Sequence, residues 1–379
     1  MNQLTRPVWA EVDRAAIAHN VAEFRRLIDT DCQLMVVVKS DGYGHGDLET
    51  ARAALASGAS WLAVALPEEG VRLRRSGIAA PILVLGSLAA EQLEMCVTKD
   101  LVVTVYQWEQ AQALSRIASR LQKTVRVHVK VDTGMGRLGI PVEQAVDFTA
   151  GLQRLPGVEV QGVFTHFATA DQPLGEYVRF QQQRFGEALK QLTAARLRIP
   201  LRHSANTAAT LYLPDTHMDM VRVGLGIYGL LPIPSKSVPG VSLKPALSLF
   251  ARVTSVRRVS AGTAISYGTS YVTWRETSIA VLPIGYGDGV SRQLGNRGCV
   301  LLDETRFPIV GHVTMDHIMI DVGDHPVQIG DEAVLLGGQA PDAVTADEWA
   351  EWMGTISYEV TCMIGSRVPR VYVQRTDAR

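Results

Sequence analysis

A (β/α)8 barrel followed by a predominantly β domain is the fold class this α/β sequence predicts, and three observations carry it. Short, continuously apolar runs alternate with helix-patterned stretches as far as about Gly224. Eight such runs can be counted, the number a closed barrel requires. Beyond a Pro- and Ser-rich stretch from Pro232 to Pro245, the texture changes to short β-patterned runs separated by Gly and Asp.

Taken in order, Asp13 to Ile28 places Ile17, Val21, Phe24 and Ile28 at three- and four-residue steps, an amphipathic helix with Asp13 as its N-cap. LMVVVK follows, a run of the kind found in strands buried on both faces. The same pattern returns at WLAVAL, PILVLG, LVVTVY, VRVHVKVD, VEVQGVFTH, PLRHS and MDMVRVG. Helix-patterned stretches such as EEGVRLRRSG, WEQAQALSRIASRLQ and YVRFQQQRFGEALKQLTAARL lie between them. A doubly wound open sheet is the competing reading. It would more often carry a glycine fingerprint in its first βα turn, and DGYGHG is not G-x-G-x-x-G. After the linker, LFARVTSVRRV, SIAVLPIG, GCVLL, FPIVG, IMIDV, AVLLGG and VYV read as mainly antiparallel strands. The expected division is a barrel over residues 1–240 and a β domain over 241–379.

Composition narrows the function. The 379 residues are 47% apolar with a formal charge of −1, which suits a well-buried core. Charges are scattered with no basic stripe, so nucleic acid is not an expected partner. Cys32, Cys96, Cys299 and Cys362 lie far apart without a C-x-x-C pair, which points to reduced thiols and no metal site. No run has the length of a signal peptide or a membrane span, so the expectation is a soluble, cytoplasmic protein with no membrane partner.

In a barrel, catalytic groups stand where strands end. Lys39 ends the first run, Arg137 follows the fifth and His166 ends the sixth. Asn206 and Thr207 follow the seventh, and Arg222 ends the eighth. A lysine closing an apolar run either snorkels out of the barrel end or is neutralised, and a Schiff base with a carbonyl cofactor does the latter.

The local sequence decides between these. VVVKSDGYGHG resembles the pyridoxal 5'-phosphate (PLP) motif of alanine racemases, commonly V-V-K-A-D-A-Y-G-H-G. The resemblance continues in register through VDTGMGRLG, GVFTHFATAD, HSANTAA, VRVGLGIYG, ISYGTSY, LPIGYGDG, GHVTMDHIMIDV and YEVTCMIGSRVPRVY. It implies an isomerase that interconverts L- and D-alanine, supplying D-alanine for peptidoglycan, and a homodimer with shared active sites. It further implies that Lys39 holds PLP and acts as one base, while Tyr267 acts as the other on the opposite face of Cα. A tyrosine, with an ordinary pKa of about 10, needs help in that role, which the resemblance assigns to a chain through His166 to Arg222.

The remaining roles are implied in the same way. Tyr43, Asn206, Thr207, Tyr358 and the backbone at Gly224 and Leu225 contact the cofactor, together with His166 and Arg222. An arginine facing the pyridine nitrogen cannot accept its proton, which limits delocalisation and suits a racemase. Arg137 and the backbone at Met315 take the substrate carboxylate. Lys130 matches a lysine often carbamylated in the family, and Tyr286 and Tyr358 narrow the entrance. The chain departs from the family pattern at Ser40 and Gly42, commonly alanines, at Val223, commonly proline, at His312, commonly arginine, and at Thr314, commonly cysteine or serine. Signatures of a PLP decarboxylase are missing, and a single-barrel PLP-binding protein would lack the second domain. A racemase for serine or of broader specificity remains the alternative.

Overall fold

The computed structural model describes residues 6–172, 175–233, 238–338 and 342–375. Two compact units result. A barrel unit comprises Ile17–Gly42 and Asp47–Lys244, and a β unit comprises the residues up to Ala16, Tyr43–Gly46 and the chain from Pro245.

The strands of the first part of the chain are β1 (Val8–Asp13), β2 (Gln33–Val37), β3 (Trp61–Val64), β4 (Ile82–Val84), β5 (Val102–Val105), β6 (Val125–Asp132), β7 (Ile140–Pro141), β8 (Val158–Phe164), β9 (Leu201–His203) and β10 (Met220–Val223). In the barrel unit they run in the order β10-β2-β3-β4-β5-β6-β8-β9, with the short β7 beside β6. Every pairing along this path is parallel. Between β9 and β10, Asp219 N donates to Arg202 O at 3.1 Å and Arg222 N to Ala205 O at 2.9 Å. These bonds nearly close the cylinder, so the eight expected runs are barrel strands rather than an open sheet.

Burial explains why those runs are continuously apolar: β3, β4, β5 and β10 are buried at every position. The helices show the complementary period. In Glu176–Ala194 the buried positions are Val178, Gln181, Phe185, Ala188 and Leu192, alternating three- and four-residue steps. Asp13 stands at the start of the helix Arg14–Leu27 and accepts from Ala15 N at 2.9 Å, as an N-cap does.

The β unit is built on a six-stranded sheet, in the order Thr305–Pro308, Cys299–Leu302, Glu332–Leu336, Leu247–Arg252, β1 and Arg370–Val373. Its pairings are antiparallel except that of β1 with Arg370–Val373. A smaller sheet joins Ser255–Val259, Thr277–Leu282 and Ile318–Gly323, and a short hairpin pairs Ala264–Ile265 with Tyr271–Val272. The single cut at 240/241 expected from the linker is thus incomplete, because β1 belongs to this sheet. Val8, Ala10 and Val12 are fully buried there, and Trp9 stacks on Phe250 at 5.2 Å. The middle of the linker, 234–237, lies outside the described residues. Among the described residues no helix is long and apolar enough to cross a membrane.

Candidate active site

Lys39 stands two residues after the end of β2 and opens a turn of left-handed backbone. Ser40, Asp41 and Gly42 have φ/ψ near +53/+51, +52/+47 and +61/+44, and Tyr43 has φ +52. Each L-residue held there costs roughly 1–2 kcal/mol, so the turn must be held from outside. The Glu69 carboxylate does this, accepting from Ser40 N at 2.6 Å, Ala65 N at 2.8 Å and Leu66 N at 3.0 Å. Glycine at 42 escapes the left-handed penalty, which accounts physically for one departure from the family motif.

Arg222, on β10, is buried, and its contacts are all to neutral acceptors. It donates to His203 Nδ1 at 2.8 Å, Thr165 O at 2.8 Å, Ser204 O at 2.9 Å and His166 Nδ1 at 3.3 Å. Burial pushes the guanidinium down to about 9, so it remains a cation at neutral pH. Because arginine can only donate, His203 must accept at Nδ1 and carry its proton on Nε2. That proton goes to His128 Nδ1, 2.8 Å away, and His128 is in turn protonated on Nε2. The chain Arg222–His203–His128 therefore has one direction. Burial, with the Arg222 charge next in order, holds both imidazoles far below their ordinary values, His128 at about 3.

Phe164 lines this core, stacked on His203 at 4.7 Å with Arg222 5.2 Å and Lys130 Nζ 4.6 Å from its ring centre. Lys130 is buried, and burial followed by the charges of Arg222 and Arg137 pushes its ammonium well down. Asp132, the carboxylate that acts on it, already accepts from the amides of Gly134, Met135 and Gly136. His166 is half-buried and held neutral by desolvation and then by Lys130, Arg222, Arg137 and Lys39. Since its Nδ1 accepts from Arg222, its Nε2–H is left as a donor. Gln181, the buried polar position of the long helix, steadies this loop. It donates to His166 O at 3.1 Å and accepts from Ala168 N at 2.8 Å.

Thr207 Oγ1 accepts from Gly224 N at 3.0 Å, which joins two of the expected phosphate contacts, and Leu225 opens the following 3-10 turn. Asn206 is an N-cap whose side-chain oxygen accepts from Ala209 N at 3.0 Å. Arg137 is exposed. In the β unit Tyr43 lies buried with its ring 6.3 Å from that of Tyr358. Burial, then Tyr358 and Cys362, push its phenol up, so it stays a neutral donor. Tyr286 N donates to Thr314 O and Gly287 N to Met315 O, both at 2.9 Å, which sets the Tyr286 and Met315 loops side by side. Tyr267 projects from the hairpin turn with 74% of its surface exposed.

The barrel mouth thus gathers Lys39, Arg137 and Arg222 around one neutral imidazole, with the desolvated Lys130 beside them, an excess of positive charge that suits anionic ligands. Among the described residues no group of three or more His, Cys, Asp or Glu could hold a metal. Sequence reasoning missed Glu69, Gln181, His128 and His203. The two histidines had a readable signal, since His128 and Lys130 alternate on one face of β6. Nothing local connects Glu69 to Ser40.

Fold and site define a two-unit enzyme with a cationic barrel-mouth site for a small anionic substrate. The family models for the N-terminal and C-terminal domains of alanine racemase match residues 12–232 and 246–372. An alanine racemase of Symbiobacterium thermophilum is 49% identical over 97% of both chains, and one of Desulfosudis oleivorans 47% over 96% of both. The crystal structure of the alanine racemase from D-cycloserine-producing Streptomyces lavendulae superposes with a TM-score of 0.94 at 37% identity, covering 99% of each chain. The chain belongs to the alanine racemase family. It is an isomerase that racemises alanine, and the family is a PLP-dependent one.

Proposed function

We propose that this chain racemises alanine by a two-base mechanism, with PLP held on Lys39 and Tyr267 placed on the opposite face of the substrate Cα. The observation that carries this reading is the cationic barrel mouth, where Arg222 meets only neutral acceptors and the charges of Arg137 and Lys39 also bear on His166. A phosphate and a substrate carboxylate are the anions that balance such a site. Tyr43, Asn206, Thr207 and Tyr358, with the backbone at Gly224 and Leu225, would hold the phosphate end. Arg137 and the backbone at Met315 would hold the carboxylate. When bound, the cofactor supplies an electron-poor ring that takes up the electron pair left on Cα.

The residues do the rest. Lys39 accepts the proton of the D-enantiomer and Tyr267 that of the L-enantiomer, and in each direction the other residue delivers a proton to the opposite face. Arg222 stays protonated and gives no proton to the ring nitrogen, which keeps the reaction from drifting towards transamination. The Nε2–H of His166 can carry the link from Arg222 to Tyr267. We further propose that Tyr267 is supplied by a partner subunit in a homodimer. Its exposure, like that of Trp274 (77%), Met315 and Tyr286, supports an interface formed by the β unit. The cellular role that follows is supply of D-alanine for peptidoglycan in the cytoplasm.

Borohydride reduction of the PLP-loaded enzyme tests the reading. The modified peptide should contain Lys39. A label on Lys130 would overturn it.

A further inference from the structure

Within its own chain Tyr267 is too exposed for packing to orient its ring, so what that chain contributes to its direction comes from the backbone that carries it. That backbone is unusual. Gly268 and Thr269 have φ of +69 and +48, and Ser266 has φ +65 with ψ −177, a region otherwise almost reserved for glycine. If the turn needed only conformational freedom, glycine would serve better than serine at 266. What glycine lacks is the hydroxyl, and Ser266 Oγ donates to His312 O at 2.8 Å.

The other end of the turn is held by Asn296. Its Nδ2 donates to Ser270 O at 3.1 Å and its Oδ1 accepts from Gly311 N at 2.6 Å. Asn296 itself has φ +59, a conformation asparagine tolerates. Both ends of the turn 266–270 are therefore tied to one segment, Gly311–His312. That segment passes so close that a Cβ on Gly311 would lie 2.7 Å from Ser266 Cβ and 2.9 Å from Ile265 O. Below the turn, Ile265 and Val310 pack with Ile279 in a small buried cluster that anchors both partners.

We propose that Ser266 and Asn296 are positioning residues for Tyr267, clamping the two ends of its turn to Gly311–His312 so that the phenol meets the L-face proton of the substrate. The inference rests on Tyr267 being the L-face base. Neither residue touches the reacting atoms. Loss of either clamp releases one end of a strained turn, and the misplacement falls on one base only.

Washout of the Cα proton from L- and D-alanine, measured separately in D2O by NMR on the PLP-loaded enzyme, reads the two faces apart. Tyr267 takes the Cα proton of L-alanine, the electron pair stays with the substrate, and the solvent-exchanged phenol returns deuterium. Lys39 does the same for D-alanine. Ser266→Gly removes the hydroxyl while easing the backbone, and Asn296→Gly removes the amide while keeping a residue at ease with φ +59. Each should slow washout from L-alanine roughly 10- to 100-fold while changing that from D-alanine less than about twofold. The retained D-alanine exchange shows that the variant is folded and loaded.

Tyr267→Phe in the same assay separates the two claims. If it slows only the L-side and the clamp variants do not, the clamp is refuted and the base assignment stands. If it leaves the L-side untouched, the base assignment fails and the clamp with it. Equal loss on both faces in the clamp variants would also overturn the proposal, because it would mark Ser266 and Asn296 as general supports of the fold.

Discussion

His128→Gln should make the barrel less sensitive to acid. His128 and His203 are fully buried and neutral, their basicity depressed by burial and then by Arg222. In the unfolded chain both have a pKa of about 6.5. For a base whose folded value is depressed, the unfolded state binds more protons below that pH, so stability falls as pH falls. The penalty sets in near pH 6.5 and for His128 grows until its folded value of about 3. Each group costs about 1.4 kcal/mol at pH 5.5, one unit below its unfolded value, so the pair costs about 3 kcal/mol relative to pH 8. Glutamine at 128 keeps an acceptor for the His203 Nε2–H but removes one titrating group. Proton uptake on unfolding at pH 5.5, from unfolding enthalpies in buffers of different ionisation heat, should drop by about 0.9 proton per chain. Unchanged uptake would refute the directed chain from Arg222 through both imidazoles.

Two further outcomes follow from the site. Glu69→Ala strips the left-handed Lys39 turn of its charged acceptor, a net loss of about 2 kcal/mol after water replaces the contacts of the exposed amides. The kcat for alanine should fall more than about tenfold with a smaller change in KM, and an unaltered kcat would remove Glu69 from the account. If Arg222 faces the cofactor's ring nitrogen as proposed, Arg222→Glu would place a carboxylate there, so racemisation should fall and pyruvate from transamination should rise. Equal partitioning between the two products in variant and parent would mean that Arg222 serves only the fold.

Much of the fold was legible because burial on both faces leaves a strong trace. The eight apolar runs became the eight barrel strands, and VRVHVKVD matched β6 residue for residue. The N-terminal strand was missed because its partners, Leu247–Arg252 and Arg370–Val373, are remote in sequence and its alternation lies just before a helix. In the site, lysine, histidine and arginine at strand ends were visible, since position in a barrel carries meaning. Glu69 and Asn296 were not. Each acts on backbone amides or carbonyls that are distant along the chain, and such targets leave no residue-type signature. Gln181 was hidden in another way, as a polar residue at a helix position whose period reads as core.

The most direct test of two bases in a shared site is complementation between Lys39→Ala and Tyr267→Ala. Each homodimer should be inactive in racemisation. After co-refolding, random pairing makes about half the dimers mixed, each with one site holding both bases and one holding neither. Activity of roughly a quarter of the parent enzyme should return. No recovery, with mixed dimers confirmed by mass, would contradict the shared site.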